Sequence, residues 1–215
     1  MSIETGPVLL LQWLSPAYPV GAFAWSHGLE AAVARNEVAD GAGLEAWLGD
    51  LLLFGSARAD AILLAAAFHA ANGAVLAEVD ATARAFAPSR ERLAETVEQG
   101  AAFCRATSGV WGGSLRGLTY PVAVGRAACM HGLPLALTLE MFTHALAANL
   151  IAAGQRLLPV GQIEGQRILK NLGPLVSDAA KNALTADLSG LSSACFAADI
   201  ASMAHETQYA RIFRS

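Results

Sequence analysis

Glu140 and His144 are the two side chains whose types and spacing could do chemistry in this sequence. They lie four residues apart in a segment with helical periodicity, so a helix would place a carboxylate and an imidazole on one face, where both could bind a metal ion. A third ligand would come from elsewhere, with His131 and His205 as candidates. Two solvated side chains explain the pair more simply, because a lone Glu-x-x-x-His recurs by chance. A helical metal-binding enzyme centred on Glu140 and His144 is therefore kept as an alternative.

Other catalytic patterns are missing from the sequence. It has no Gly-x-Ser-x-Gly nucleophile elbow and no phosphate-binding Gly-x-x-x-x-Gly-Lys-Ser/Thr loop, and its acidic residues are not paired for acid–base work. Cys104, Cys129 and Cys195 match neither a disulfide framework nor a zinc site, which indicates reduced thiols in the core. We predict a protein that is not an enzyme and that has no cofactor or metal site of its own.

The elements that must position these side chains are predicted to be helices. Apolar residues recur at three- and four-residue spacing over residues 43–71, with a break at Gly55, and Pro134 precedes the helix that would carry the Glu-x-x-x-His pair. Residues 121–124 are the only convincing strand-like fragment, and four residues cannot form a sheet alone. We predict an all-α fold, a single domain over residues 1–215 built as a bundle of about eight to ten helices.

The composition favours a soluble protein that contacts other proteins. Charged residues make up 15% of the chain and hydrophobic residues 54%, whereas an average soluble domain carries about 25% charged residues. An alanine-rich bias and an apolar surplus placed at interfaces both explain these numbers. The net charge of -4 without a basic block argues against nucleic acid. Prolines interrupt the charge-free residues 5–29, which argues against a membrane span there, and we expect a cytoplasmic protein.

Residues 15–30 form the most distinctive segment, Ser-Pro-Ala-Tyr-Pro-Val-Gly-Ala-Phe-Ala-Trp-Ser-His-Gly-Leu-Glu. Pro16 and Pro19 predict a sharp, ordered turn between two helices, because a proline inside a helix removes a hydrogen bond and clashes with the preceding turn. His27 lies in this segment beside Trp25, and we interpret it as a structural histidine with satisfied hydrogen bonds.

A second distinctive segment covers residues 149–167, where Pro159 forces a break and a new helix starts. One face of this helix is predicted to carry a polar stripe made of Gln162, Gln166, Arg167 and Lys170. Gly161 and Gly165 flank the stripe and leave room for another backbone to approach. Docking of a partner helix or loop is one interpretation, and a merely exposed stripe is the other. Pro174 is expected to interrupt or end the helix.

The last ten residues, 206–215, are called the tail. They contain Tyr209, Phe213 and two arginines, which are residue types that dominate interface energetics. Few local residues are available to bury these aromatic side chains, and chain ends are often disordered unless they are tied down. We therefore predict a tail that becomes ordered on a partner, in preference to one that packs on its own domain.

Three segments of the chain together resemble the UreF family of urease accessory proteins. Residues 11–30 are similar to the pattern Leu-x-x-x-Ser-Pro-x-x-Pro-x-Gly-x-Phe followed by Ser-x-Gly-Leu-Glu, and residues 149–167 to Arg-Leu-x-Pro-x-Gly-Gln-x-x-Gly-Gln-Arg. The tail is similar to Glu-x-Gln-Tyr-x-Arg-Leu-Phe-Arg-Ser. The chain departs from these patterns at Ile212, where Leu is usual, and at Ala24, where Ser is common.

The resemblance implies an all-α, dimeric, non-enzymatic helper in assembling the nickel centre of urease. It implies three partners, which are a UreD-like protein (UreH in some bacteria), a nickel-carrying UreG-like GTPase and the urease apoprotein, with GTP hydrolysis coupled to nickel delivery. The residues expected to engage the UreD-like partner are Phe23, Tyr209, Arg211, Phe213, Arg214 and Ser215. Those expected to face the GTPase are Glu30, Gln162, Gln166, Arg167 and Lys170.

Two further interpretations stay open at this point. Arg167 or Arg211 could act as an arginine finger that accelerates GTP hydrolysis. A structural, oligomeric helical scaffold without any metal connection also accounts for the composition, but it does not account for three motif matches in the same order and spacing.

Overall fold

The computed structural model describes residues 6–215, and within them the chain forms ten α-helices and no strand. The helices are α1 (Gly6–Trp13), α2 (Leu29–Ala34), α3 (Gly41–Phe54), α4 (Ser56–His69), α5 (Gly73–Ala85), α6 (Arg90–Trp111), α7 (Tyr120–Met130), α8 (Leu135–Leu157), α9 (Gln162–Thr185) and α10 (Phe196–His205). The predicted all-α, single-domain bundle is confirmed.

Helix boundaries follow local capping chemistry. The side chains of Asp40, Asn72 and Ser89 each accept a hydrogen bond from a backbone N–H in the first turn of α3, α5 and α6 respectively, which satisfies a donor that has no partner inside the helix. Gly55 separates α3 from α4, as the sequence predicts. The predicted turn between two helices is also present, because α1 ends at Trp13 and α2 begins only at Leu29.

The strand-like prediction for residues 121–124 is wrong, because these residues form the first turns of α7. Pro121 lies in the first helical turn, where a proline's missing N–H costs nothing. Val122 and Val124 are completely buried, since α7 packs closely on α4. At the contact, a Cβ on Gly125 would lie 2.2 Å from the carbonyl oxygen of Leu64. An apolar run buried in a helix pair cannot be told from a buried strand by periodicity.

Pro174 neither interrupts nor ends α9, which continues on both sides of it. A proline inside a helix costs about 3 kcal/mol, through a lost hydrogen bond and a steric clash. Packing of α9 along α8 and α3 offsets this cost, and Pro174 itself lies on the exposed face. Tertiary contacts therefore override the local preference at this position.

The core consists of two large clusters of buried side chains and a smaller one between α4, α5 and α7. One large cluster joins α2, α3, α8, α9 and α10 and includes Phe213 from the tail. The other large cluster surrounds Trp13 and Phe103, which meet edge to face with ring centroids 5.5 Å apart. Alpha helices from both ends of the chain thus contribute to one continuous bundle.

Two stretches are long and apolar enough to span a membrane by length and composition, namely α3 together with α4 (residues 41–69) and α8. Core helices of soluble proteins meet the same criteria, and 61% of the most apolar window of the first stretch is buried inside this bundle. For α8 the buried share is 39%, because part of this helix borders an apolar groove described below.

Candidate docking surfaces

The tail lies against the turn that leads into α2. We call residues 24–30, which include the first two residues of α2, the anchor turn. The N–H of Arg214 donates to the carbonyl of Ala24 (2.9 Å), and the N–H of Ser26 donates to the carbonyl of Ser215 (2.9 Å). Ser26 and Ser215 are 189 positions apart in the chain. Two of the three segments that resemble the UreF family therefore form one structural unit.

Glu30 connects the anchor turn to the tail. Its carboxylate accepts hydrogen bonds from the backbone N–H groups of Ile212 (2.7 Å) and Phe213 (2.8 Å), and Nε2 of His205 lies 3.2 Å from the same carboxylate. Glu30 is only 5% exposed. The sequence predicts that Glu30 faces the GTPase, whereas in the structure the tail covers it and it holds the tail in place.

The inward side of the tail finds its contacts on distant helices. Phe213 is 4% exposed and enters the core, where the guanidinium of Arg156 lies 4.4 Å from its ring centroid. The guanidinium of Arg214 lies 4.4 Å from the Trp25 ring and forms two hydrogen bonds to Glu98, of 2.6 and 2.8 Å. The sequence offers few local residues to these side chains, and the distant helices α8 and α6 supply contacts for Phe213 and Arg214, while Tyr209 stays exposed. A partner's contribution to the order of the tail stays a prediction.

A chain of polar contacts extends from Glu30 to the start of the tail. The other ring nitrogen of His205, Nδ1, lies 2.7 Å from the carboxylate of Glu91, and Arg211 donates to that carboxylate at 2.8 Å. Arg90 pairs with Glu206 at 2.7 Å. Arg211 is thus held by α6, on its own domain.

The outward side of the tail is apolar. Tyr209 is fully exposed and Ile212 is 60% exposed. Next to the tail in the chain, α10 exposes more than half of three large apolar side chains, Phe196, Ile200 and Met203. We call these five residues the α10–tail surface. Its helical part was not predicted from the sequence, although the spacing of the residues indicates it. Phe196, Ile200 and Met203 are separated by four and three residues and so share one helix face, while Ala198 and Ala201 form the buried face.

The polar stripe predicted on α9 is exposed throughout, at Gln162, Gln166, Arg167 and Lys170. Ile163, also missed, is 79% exposed beside it. Gly165 does not leave room for a partner, because a Cβ there would meet the Gln155 side chain of the same domain at 2.3 Å. Of the two arginines considered for an arginine finger, Arg167 is exposed, whereas Arg211 is paired with a carboxylate.

Phe23 lies at a third surface, an apolar groove of about 890 Å³ bordered by α1, α8 and α9. Its side chain is exposed, and its carbonyl accepts a hydrogen bond from Arg156 at 3.2 Å. The floor of the groove is made of small residues of α8: Ala145, Ala148 and Ala152. The large exposed side chains of Phe23 and Leu11 therefore lie beside this alanine floor. They have the size to cover the corresponding floor of a second molecule.

Comparison with known proteins assigns the chain to a family. A family model described as UreF matches residues 38–173. The urease accessory protein UreF of a Ruegeria species is 58% identical over 206 residues, which cover 96% of each chain. The protein of the same name from Roseobacter denitrificans is 52% identical over 206 residues, covering 96% of this chain and 92% of its own. The chain belongs to the UreF family of urease accessory proteins.

In this UreF-family chain the candidate third ligands do not join Glu140 and His144. Glu140 and His144 both line the apolar groove, and Ser177 donates a hydrogen bond to Glu140 (2.8 Å). His131 packs edge-on against a tryptophan of α1, and His205 lies between two glutamates. Over residues 6–215, no group of three His, Cys, Asp or Glu side chains is placed to hold a metal ion.

A buried charged cluster lies beneath the anchor turn of this UreF-family fold. Arg92 pairs with Glu95 and lies 3.5 Å from Asp60, while Nε2 of His27 lies 2.8 Å from Glu95. Burial by itself raises the pKa of the Glu95 carboxyl, but Arg92 and His27 outweigh burial and lower that pKa from 4.5 to about 2. Burial raises the pKa of Asp60 despite the neighbouring Arg92. His27 is buried and its predicted hydrogen bonding is confirmed.

Proposed function

We propose that the protein is a non-catalytic adaptor in urease maturation. In this role it joins a UreD-like (UreH-like) accessory protein and a UreG-like GTPase into an assembly that acts on the urease apoprotein in the cytoplasm. GTP hydrolysis by the GTPase drives insertion of nickel, which is the cargo of the assembly, so the adaptor needs no cofactor of its own. Membership of the UreF family supports the accessory role, and the exposed surfaces support an adaptor.

The observation that carries this proposal is the apolar α10–tail surface. Burying a large apolar side chain contributes about 1.5–3 kcal/mol, and here five such side chains remain in water. Aromatic residues and methionine are enriched at protein–protein interfaces. We assign the α10–tail surface to the UreD-like partner. In this assignment Tyr209 contacts the partner, while Arg211, Phe213, Arg214 and Ser215 serve to hold the tail.

Replacing Tyr209 with alanine should weaken binding of the UreD-like protein by about 30-fold or more, the size of effect typical of an interface hot spot. Stability should not change, because Tyr209 is fully exposed. Isothermal titration of the two purified proteins measures the affinity. Val110→Ala, which shortens another exposed apolar side chain at the end of α6, is the matched control. Equal affinities of the Tyr209 variant and the unchanged protein would remove the tail from this interface.

A point substitution is a sharper test here than a truncation. Deleting the tail also removes Phe213 from the core, and loss of a buried phenylalanine side chain costs about 3–5 kcal/mol. A truncated chain that fails to bind would therefore report either lost contact or lost stability. Tyr209→Ala separates the two.

We assign the α9 stripe to the GTPase, because its four polar residues are all exposed and Ile163 adds an apolar contact beside them. Glu30 is no longer included among the residues proposed to contact the GTPase, because the tail covers it. The stripe belongs to a different helix from the α10–tail surface, which allows the two partners separate contacts.

Replacing both Gln166 and Arg167 with alanine should weaken GTPase recruitment at least about tenfold, since arginine is a frequent hot-spot residue. The fold should be unaffected because both side chains are exposed. Light scattering of the complex with the UreG-like GTPase and GTP gives the bound fraction. The control replaces Lys181 and Asn182, which are exposed near the other end of α9. Unchanged recruitment of the GTPase would contradict this assignment.

We further propose that a second copy of the chain covers the apolar groove, as the family resemblance implies a dimer. Leu11 and Phe23 of one copy would lie over the alanine floor of the other, which is the self-complementary contact that a two-fold dimer requires. The light-scattering mass of the protein alone reports this directly, with about twice 22.3 kDa expected.

A further inference from the structure

We infer that Glu30 sets the register of the tail, and thereby decides which of its side chains the UreD-like partner meets. The anchor turn would then act on partner binding without touching the partner. The link to the partner rests on the proposed function, whereas the register itself is a property of this chain alone.

The last four side chains of the tail alternate between solvent and core. Ile212 and Arg214 are exposed, while Phe213 and Ser215 are buried. The chain bends at residues 212 and 213, so each side chain takes its place from specific contacts, and a slip of one residue would exchange the exposed and buried sets. A slipped tail would bury an arginine and expose Phe213. Binding of the UreD-like partner therefore depends on one register.

Glu30 is placed to select that register. One carboxylate captures two consecutive backbone N–H groups, those of Ile212 at 2.7 Å and Phe213 at 2.8 Å. Hydrogen bonds to a charged acceptor are about twice as strong as those between neutral groups. His205, completely buried and 3.2 Å from Glu30, supports the carboxylate from α10. Two contacts of the anchor turn, at Ala24 and Ser26, continue the same register along the tail.

A tail held in this way lowers the cost of association. A flexible segment loses conformational entropy when a partner orders it, at about 1–2 kcal/mol per residue for the backbone. Because Glu30 orders residues 212 and 213 beforehand, that cost does not fall on the partner contact. The inference predicts that a buried carboxylate, out of reach of the partner, controls the partner's affinity.

The test compares Glu30→Gln with Glu37→Gln. Glu37 lies just beyond α2 and is exposed, paired with Arg35 at 3.1 Å, so it matches the chemical change without any contact to the tail. Amide hydrogen exchange followed by NMR should be about 10- to 100-fold faster at Ile212 and Phe213 in Glu30→Gln. Exchange in α8 should stay unchanged, which separates loss of the register from general destabilisation. The affinity of Glu30→Gln for the purified UreD-like protein should fall at least about tenfold. Glu37→Gln should change neither the exchange rates nor the affinity.

Each outcome decides one part of the inference. Unchanged exchange at residues 212 and 213 would overturn the role of Glu30. Faster exchange with unchanged affinity would overturn the effect on the partner and leave the proposed function intact. If the unchanged protein does not bind the UreD-like protein at all, the proposed function fails, and the exchange rates still decide whether Glu30 sets the register.

A second variant covers the case in which Glu30→Gln does not fold. Ile212→Pro removes one N–H donor to Glu30 from an exposed residue and leaves the core side chains in place. Exchange at Phe213 should again be faster, and exchange is the only readout for this variant, because Ile212 itself belongs to the α10–tail surface. Slow exchange at Phe213 in this variant would also contradict the inference.

Discussion

Replacing Gly28 with alanine is expected to lower the free energy of unfolding by about 2–5 kcal/mol. Gly28 has a φ of +79°, a left-handed conformation that costs other residues about 1–2 kcal/mol. A Cβ at this position would also lie 2.6 Å from the backbone nitrogen of Ser202 and 2.9 Å from its Cα. These are atoms of the α10 backbone, so α10 itself has to move. Under the proposed function, movement of α10 should weaken binding of the UreD-like partner as well.

Gly21→Ala is the matched control for this substitution. Gly21 also has a left-handed φ, of +73°, but no atom lies within 4 Å of a Cβ built there. Gly21→Ala should lower the free energy of unfolding only by the cost of the left-handed conformation, about 1–2 kcal/mol. Urea unfolding at pH 7 measures both variants. Equal losses would show that the close approach of α10 to Gly28 contributes nothing.

Glu95→Gln is expected to lower the free energy of unfolding by about 3–5 kcal/mol at pH 7, which is the usual effect of removing one partner from a buried ion pair. Arg92 would be left beneath the anchor turn with Asp60 as its remaining charged partner, at 3.5 Å. Glu98→Gln, on the exposed face of the same helix, is the control and should alter stability little, because exposed ion pairs contribute little.

The loss in Glu95→Gln should depend on pH in a defined direction. The folded-state pKa of Glu95 is about 2, below its ordinary 4.5. A carboxylate with a lowered pKa stabilises the fold above its ordinary pKa, and the contribution disappears as pH falls through the folded value. The difference in unfolding free energy between the unchanged protein and the variant should therefore be constant above about pH 5 and shrink toward pH 2. Urea unfolding at several pH values measures it, and a difference that stays constant down to pH 2 would contradict the low pKa.

The sequence was informative wherever the cause of a structure is local. The break at Gly55 separates α3 from α4 as predicted, and proline placement around residues 16–19 excludes a continuous helix. Helical periodicity likewise predicted the exposed α9 stripe. The same logic explains the failures at residues 121–124 and at Pro174, where packing against other helices outweighs local preference.

By itself the sequence determined the all-α class, the family and the exposure of the α9 stripe, because periodicity, capping and motif spacing are carried by residues close together in the chain. Only the tertiary structure decided that the anchor turn and the tail meet, that Glu30 is covered, and that α10 exposes a second apolar face. Burial is a property of contacts, and the contacts of Glu30 and Phe213 come from residues more than 50 positions away. A local sequence pattern can show that a helix has two apolar faces, but it does not show which of them a distant segment of the chain covers.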